Sequence, residues 1–262
     1  MLPALHIATY NIHKGFSQFN RRMMVHELRE RLRSLGPDIV FLQEVQGLHL
    51  LHAERHTDWP SDAQHEFLAA DVWGATAYGR NVLYDHGHHG NAILSRFPIR
   101  HTHNQDVTHL RFERRGLLHC VVELPAHGMT VHCVCVHLSL FSRSRTRQIE
   151  MLAHYLKDLA PDDAPLIIAG DFNDWRDSCS PLLAERLGVS EVFCGLDGNR
   201  GRPVRSFPAG LPVFRLDRIY VRGFTVERAD VHFGAPWSRI SDHAALSAHL
   251  LPEPAPSAQD GG

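Results

Sequence analysis

Leu166-Ile167-Ile168-Ala169-Gly170-Asp171-Phe172-Asn173-Asp174 is an apolar, β-branched run that stops at a glycine and gives way to carboxylates and an amide. Short runs of that composition read as buried strands. The acid that follows then sits at the strand's carboxyl end, where open α/β sheets collect their ligand sites. Elsewhere in the chain the same design recurs. Ile7-Ala8-Thr9-Tyr10 leads into Asn11, and Ile39-Val40-Phe41-Leu42 leads into Gln43-Glu44. Ser241-Asp242-His243 stands just before Ala244-Ala245-Leu246. One such pair alone is most simply a solvated strand end. Four in one chain read as a single assembled site.

The residue types indicate the chemistry. Asn, Glu and Asp supply hard oxygen ligands of the kind Mg2+ or Mn2+ prefers, and no cysteine cluster points to zinc. Histidines close two segments: His137 follows Val131-His132-Cys133-Val134-Cys135-Val136, and His243 follows Asp242. Oxygen ligands for a hard cation, beside imidazole donors, suit a phosphoryl centre whose transition state spreads negative charge over its oxygens.

Taken together, Thr9-Tyr10-Asn11-Ile12, Leu42-Gln43-Glu44-Val45, Gly170-Asp171-Phe172-Asn173, Arg215-Leu216-Asp217-Arg218-Ile219 and Ser241-Asp242-His243 resemble the motifs of the endonuclease/exonuclease/phosphatase superfamily, also called deoxyribonuclease-I-like. The likeness spans nearly the whole chain, and the ordered set is far more specific than any one motif. It implies a four-layer α/β/β/α sandwich of two mixed β-sheets with helices outside. It also implies a metal-dependent phosphoesterase that hydrolyses a phosphodiester by direct attack of water. On that resemblance Glu44 is the principal metal ligand, with Asn11 and Asp242 near the same Mg2+ or Mn2+. Asp171 orients or deprotonates the water, and Asn173 donates to the phosphate. His243 contacts the scissile phosphate with its tautomer fixed by Asp217, and His137 is the second active-site histidine. Asn91 is implied as a substrate contact.

Two departures from the family pattern bear on the branch. Val136-His137-Leu138-Ser139 stands where the abasic-site endonucleases carry Tyr-x-Pro-Asn, which is similar to the two-histidine branches. Asn11-Ile12-His13 lacks the acid that those enzymes carry two residues after the Asn, which leaves fewer carboxylates and puts a two-metal mechanism in doubt. Gly90-Asn91-Ala92-Ile93-Leu94-Ser95-Arg96-Phe97-Pro98 is similar to small bacterial members. The expected substrate is nucleic acid or a phospholipid head group. The alternatives are an abasic-site repair endonuclease, or a binding module that has lost catalysis.

The composition of the 262 residues, 44% of them hydrophobic, allows one large two-sheet domain. A formal charge of −2 is not the balance of a protein that grips duplex nucleic acid through many phosphates. Five scattered cysteines give no disulfide framework, and Cys133 and Cys135 read as buried thiols on one strand face. No signal peptide or membrane-length apolar run is evident, so a cytoplasmic location is expected. The glycine-spaced histidines of Asp85-His86-Gly87-His88-His89-Gly90 read as a solvated loop.

Along the chain, helical spacing is expected over Arg21–Leu35, Ala63–Ala70 and Ser144–Leu159. Strands are expected at Asp38–Gln43, Asn91–Leu94, Leu117–Leu124, Met129–Val136, Leu216–Val221, Val226–Val231 and Ala244–Leu250. Residues 46–77 read as polar and irregular. Gln46–Gly90 and Gly195–Val213 are the stretches expected to hold the loops that shape specificity. The domain is expected over residues 1–252, with a disordered Pro- and Ala-rich tail at 253–262. Ser142-Arg143-Ser144-Arg145-Thr146-Arg147 admits two readings. Arg145 could bind a substrate phosphate, or the segment is a solvated helix entrance with Ser144 as N-cap. Arg115 could likewise face the cleft or merely precede a strand.

Overall fold

Two strand–helix–strand units organise the chain. In the first, β1 (Leu5–Asn11) passes through α1 (Val25–Leu35) to β2 (Ile39–His49), which lies parallel to β1. In the second, β7 (Met129–His137) passes through α3 (Ser142–Lys157) to β8 (Leu166–Asp171), again parallel. A helical crossover is what a parallel neighbour requires. A computed structural model describes residues 3–18, 21–49, 58–194 and 204–253.

The remaining elements extend each unit into a six-stranded mixed sheet. They are α2 (Gln64–Ala69), β3 (Ala75–Tyr84), β4 (Gly87–Ser95), β5 (Ile99–Asp106), β6 (Gly116–Leu124), α4 (Cys179–Leu187), β9 (Ser190–Glu191), β10 (Asp217–Arg222), β11 (Phe224–His232) and β12 (Ala245–Pro252). One sheet runs β11-β12-β1-β2-β4-β3 and the other β5-β6-β7-β8-β10-β9. The alternate side chains of each strand explain the layering. Ile7, Phe41, Cys133, Cys135, Ile167, Ile219 and Leu246 meet between the sheets. Val40, Leu42 and Leu94 turn outward onto Val25, Leu28 and Leu32 of α1. Val134, Ile168 and Tyr220 turn outward onto Ile149 and Leu152 of α3 and Leu183 of α4. The architecture is therefore the four-layer α/β/β/α sandwich, with two buried helix–sheet interfaces around one sheet–sheet core.

Local chemistry moves several boundaries. Helix α1 starts at Val25 rather than Arg21 because the preceding residues fold back: Ser17 N–H donates to Arg22 O at 2.9 Å, and Arg22 N–H donates to Ser17 Oγ at 3.1 Å. Gly36, left-handed at φ 70°, ends the helix with its N–H on Leu32 O. Helix α3 starts at Ser142, so Ser144 is inside the first turn and pairs with His109 Nδ1 at 2.8 Å instead of capping. The expected helix at 63–70 is α2; the rest of the stretch 46–77, read as irregular, also holds the end of β2 and the start of β3. Of the histidines at 86–89, His86 lies in the turn, whereas His88 and His89 are in β4 and are not a loop: His88 Nδ1 lies 2.9 Å from the Tyr78 hydroxyl. Strands β3 and β5 and helix α4 carry no strong apolar period and escape a pattern reading. Glu253, placed in the tail by composition, bonds to Gly223 O at 3.0 Å. The rest of the expected tail, and parts of both expected specificity stretches, lie outside the described residues.

Candidate active site

The carboxyl ends of β1, β2, β7 and β8 gather at one end of the sandwich. Strand β12 runs antiparallel to β1, and β10 antiparallel to β8, so their amino ends arrive at the same place. Register does the rest. His137 stands beside Asp171, and Asp171 stands opposite Asp217. Gly170 makes this junction possible. At φ 148° it holds a conformation other residues rarely adopt, and a Cβ there would fall 2.0 Å from Val136 O.

Asp171 is the hub. Its side chain is 2% exposed. Oδ1 accepts the Asn173 N–H at 2.9 Å, while Oδ2 accepts Asn11 Nδ2–H at 3.1 Å and so ties β8 to β1 across the sheets. His137 Nε2 and His243 Nε2 lie 3.6 and 3.8 Å from the same Oδ2. On its far side His243 donates Nδ1–H to Asp217 Oδ2 at 2.8 Å, inside the hydrogen-bond range that a tautomer-fixing pair requires. The Asp217 backbone is held by Ser206 Oγ at 3.0 Å. Asn173, left-handed at φ 50°, spends one amide hydrogen on Leu138 O at 3.0 Å.

Glu44 enters from the other sheet. Leu42 faces Ala92 and Val45 faces Gly90, so Gln43 and Glu44 together oppose Asn91 in a bulge. Glu44 is left-handed there, at φ 57°. Bulges re-aim side chains, and residues held in this conformation concentrate at functional sites. Gln43 turns between the sheets, where its amide reaches Thr9 Oγ1 at 3.2 Å. Glu44 instead lines a small crevice with His89, Asn91, Arg115 and His137. Asp242, partly exposed, sits 3.3 Å from His13 Nδ1, and the His13 N–H caps Asn11 Oδ1 at 3.1 Å.

The electrostatics divide the groups. Burial raises the Asp171 pKa, His243 opposes that shift, and Asp217 adds to it. The net result is a carboxyl well above its ordinary range. For His243 burial disfavours the cation, yet Asp217 and then Asp171 outweigh it and hold the imidazole protonated well above its usual value. His137 moves the opposite way: burial first, then the charges of Arg115 and His243, keep it neutral. Two imidazoles flank one carboxylate with opposite protonation tendencies.

The implied metal can be tested against the donor set. Among the described residues no donor engages the Glu44 carboxylate. Asn91 Oδ1 beside it is buried without a partner. Asn11 Oδ1 and the Asp242 carboxylate add further oxygens on the neighbouring strand ends. Such a set fits Mg2+ or Mn2+. A second grouping, Asp171, Asp217 and His243, has ligand atoms within 4.8 Å of one another. Its shortest contact is an ordinary His–Asp hydrogen bond, so it reads more naturally as a proton-handling relay.

Two expected substrate contacts are redirected by their surroundings. Arg145 is 3% exposed. Its guanidinium donates to Ser139 O at 3.1 Å, Leu140 O at 2.8 Å and Asp174 Oδ1 at 3.4 Å, tying the β7–α3 turn to the segment after β8. Both terminal nitrogens are thus engaged within the fold, and the Nε–H is buried. Asn91 gives its amide hydrogens to Gly116 O at 3.0 Å and Cys135 O at 3.2 Å. What remains is an oxygen, which suits a cation or a hydroxyl and repels a phosphate. Arg115 does face the crevice, braced by Leu138 O at 3.2 Å and Glu113 Oε1 at 3.1 Å. His13 and His89 were not singled out by sequence; their one signal was position, next to Asn11 and Asn91.

Residues 8–243 match the model of the Endonuclease/Exonuclease/phosphatase family. YbhP, an uncharacterised protein of Escherichia coli K12, is 45% identical over 244 residues, or 93% of this chain and 95% of its own length. Bt3783, a mannosyl-6-phosphatase of Bacteroides thetaiotaomicron VPI-5482, superposes with a TM-score of 0.71 at 16% identity, covering 95% of this chain and all of its own (100%). D. rerio TDP2, solved with a single strand DNA product, gives 0.67 at 22% identity, covering 94% of this chain and 98% of its own. At those identities the two structures speak to the fold alone.

Proposed function

Because the chain belongs to the Endonuclease/Exonuclease/phosphatase family, whose members are generally hydrolases of phosphoester bonds, we propose that it is a Mg2+- or Mn2+-dependent phosphodiesterase. The observation that carries the reading is the buried chain from Asp217 through His243 to Asp171, with neutral His137 on the other side of Asp171. A cation bound by Glu44, with Asn11 and Asp242, would offset charge on the phosphoryl oxygens.

The residues then divide the work. Asp171, a carboxylate with a raised pKa, takes a proton from the attacking water. The water oxygen bonds to phosphorus as one P–O ester bond breaks, and the departing alkoxide regains a proton as an alcohol. Cationic His243, fixed by Asp217, and the second amide hydrogen of Asn173 stabilise the phosphoryl oxygens. Neutral His137 stands on the other side of Asp171, where it relays the proton that Asp171 took from the water to the departing alkoxide. Nucleic acid and phospholipid-type diesters are both within this chemistry. A dedicated abasic-site endonuclease is disfavoured by His137, and a catalytically silent scaffold by the intact set of groups.

The test is hydrolysis of bis(p-nitrophenyl) phosphate in Mg2+ or Mn2+, with EDTA and Asp171→Asn as controls and 18O-water as solvent. Turnover that requires the metal and Asp171, with one 18O in the phosphate product, is expected. Full turnover in excess EDTA, or none under any metal, would overturn the reading.

A further inference from the structure

The exposed apolar side chains are distributed unevenly. Among the described residues, every large exposed hydrophobic except Leu159 lies at the end of the sandwich that carries the site. The topology shows why. That end receives the tip of the β3–β4 hairpin, the β5–β6 loop, the segments after β7 and β8, the approach to β10 and the residues after β11. Phe112 is 78% exposed, Leu211 75%, and Leu140, Phe141 and Phe233 each at least half. Phe112 and Phe141 meet edge to face at 6.2 Å, bringing the β5–β6 and β7–α3 loops into one patch. Folding leaves these groups in water, and exposed apolar side chains gathered at one end mark a binding face.

Charge follows the same axis. Arg111, Arg114, Arg143 and Arg176 are exposed among these hydrophobics, and no ion pair among the described residues involves them. Of the acids at this end, Glu113 is engaged by Arg115 and Ser139 and Asp177 by Arg218, while Asp85 and Asp106 are exposed and fewer than the arginines. The opposite end exposes Asp158, Asp162 and Asp163. A net charge of −2 thus conceals a dipolar molecule whose catalytic end is apolar and basic. We infer that this end docks on an anionic lipid bilayer, with Phe112, Leu140, Phe141, Leu211 and Phe233 entering the interface and the arginines on the head groups. The inference rests on the phosphodiesterase reading only for its consequence, that a lipid-borne diester is delivered to the cleft.

The composition of the patch selects the occupant. Beside the aromatic Phe112, Phe141, Trp175, Phe214 and Phe233 stand the aliphatic Leu83, Leu140, Leu211 and Val213, which have no π-face for a base, whereas a single-strand binding groove is built on aromatic platforms and a strong basic track. Aliphatic and aromatic side chains ringed by arginine are what an interface between head groups and acyl chains accommodates, the basic residues being drawn to an anionic surface.

The test is co-sedimentation of the full chain with phosphatidylcholine vesicles, with and without 30 mol% phosphatidylglycerol, in EDTA so that no turnover intervenes. Binding to the anionic vesicles is expected, at least tenfold weaker without phosphatidylglycerol and weakened by salt. Phe141→Glu and, on a separate segment, Leu211→Glu should each reduce it at least fivefold; Leu159→Glu, at the opposite end, should not. Circular dichroism melts screen each variant for folding, and two independent loops guard against one misfolding. Glu44→Ala should bind vesicles as the wild type does, which separates docking from catalysis. No sedimentation, or equal loss with Leu159→Glu, overturns the inference and leaves the phosphodiesterase reading standing. So does tight binding of single-stranded DNA that Phe141→Glu abolishes while vesicles fail to bind. Vesicle binding without metal-dependent turnover would sink the phosphodiesterase reading alone.

Discussion

The two strand–helix–strand units are built alike and used differently. Each runs a parallel pair with a crossover helix, and each ends its strands in polar residues: Asn11 and Glu44 in one, His137 and Asp171 in the other. In the first, a bulge and a left-handed backbone push Glu44 out into a crevice where no described residue donates to it. In the second, the strand runs straight to its last residue, and Asp171 stays sealed among Asn11, His137 and His243. The carboxylate left partly in water is open to a cation. The sealed one has a raised pKa and can exchange a proton. On the proposed reading, one local irregularity, two residues opposing one, separates a metal ligand from a base.

The sharpest way to break that division is to remove each carboxylate in turn. Asp171→Asn should reduce turnover of a soluble diester by about 10³-fold, the scale of a lost general base, with the metal requirement unchanged. Glu44→Gln should instead raise the half-saturating Mg2+ concentration by about tenfold or more, since even residues that merely support a ligand tune metal affinity on that scale. Excess Mg2+ should recover part of the rate for Glu44→Gln and none for Asp171→Asn. If both variants respond to metal alike, the two carboxylates share one role and the contrast is wrong.

His243 belongs to neither unit: it precedes β12 in the first sheet and reaches Asp217 and Asp171 in the second. Asp217→Asn should lower kcat by about 10- to 100-fold with a smaller change in KM, because it removes a charge and a fixed tautomer and no substrate contact. Nuclear magnetic resonance of the His243 ring should show its pKa falling toward the ordinary value of about 6.5. An unchanged ring titration would mean that Asp171 alone holds the cation.

The pH profile tests the second unit more gently. A base is active only when ionised, and the folded pKa of Asp171 is displaced upward, chiefly by burial. The acid limb of kcat in the wild type should therefore lie above the ordinary carboxylate value of about 4, with activity falling as pH drops through it. An acid limb at or below about 4 would assign the proton transfer to a solvated group.

These contrasts also mark where the sequence could be read. Asn11, Glu44, Asp171 and the Asp242-His243 pair were legible because each breaks an apolar run, and burial of the run fixes where its end must lie. The sandwich followed from the same runs together with the family resemblance. Strand β5 was not legible: Arg100, His101, Thr102 and His103 leave no apolar alternation, since it is an edge strand with one face in water. The bulge at Glu44 has no local code, because it arises from register against β4. The fates of Asn91 and Arg145 depend on partners far along the chain, Cys135 and Asp174, which no spacing rule brings together. His89 and Arg115 join the crevice, and His13 meets Asp242, for the same reason.

The smallest effect on turnover is expected at Arg145, and it bears on the helices of the two units. Helix α1 starts without a buried charge. Helix α3 starts around a guanidinium 3% exposed, facing Asp174, which is itself fully buried. Burial alone would raise the Asp174 pKa, but the Cys179 N–H at 2.7 Å and Ser178 Oγ at 2.8 Å, with the charge of Arg218, hold it low. Asp174 is thus a structural anion, and Arg145 is one of its partners. Arg145→Met keeps the volume but removes donors from two backbone carbonyls and one carboxylate. Breaking a buried pair from one side typically costs about 3 kcal/mol or more, although Arg218 still balances part of the Asp174 charge. Urea denaturation should therefore show a loss of about 2–3 kcal/mol, while KM for a soluble diester at 25 °C changes by less than about twofold. The reverse result, a large rise in KM with stability intact, would restore Arg145 as a phosphate contact. It would also mean that the guanidinium leaves its buried bonds when substrate arrives.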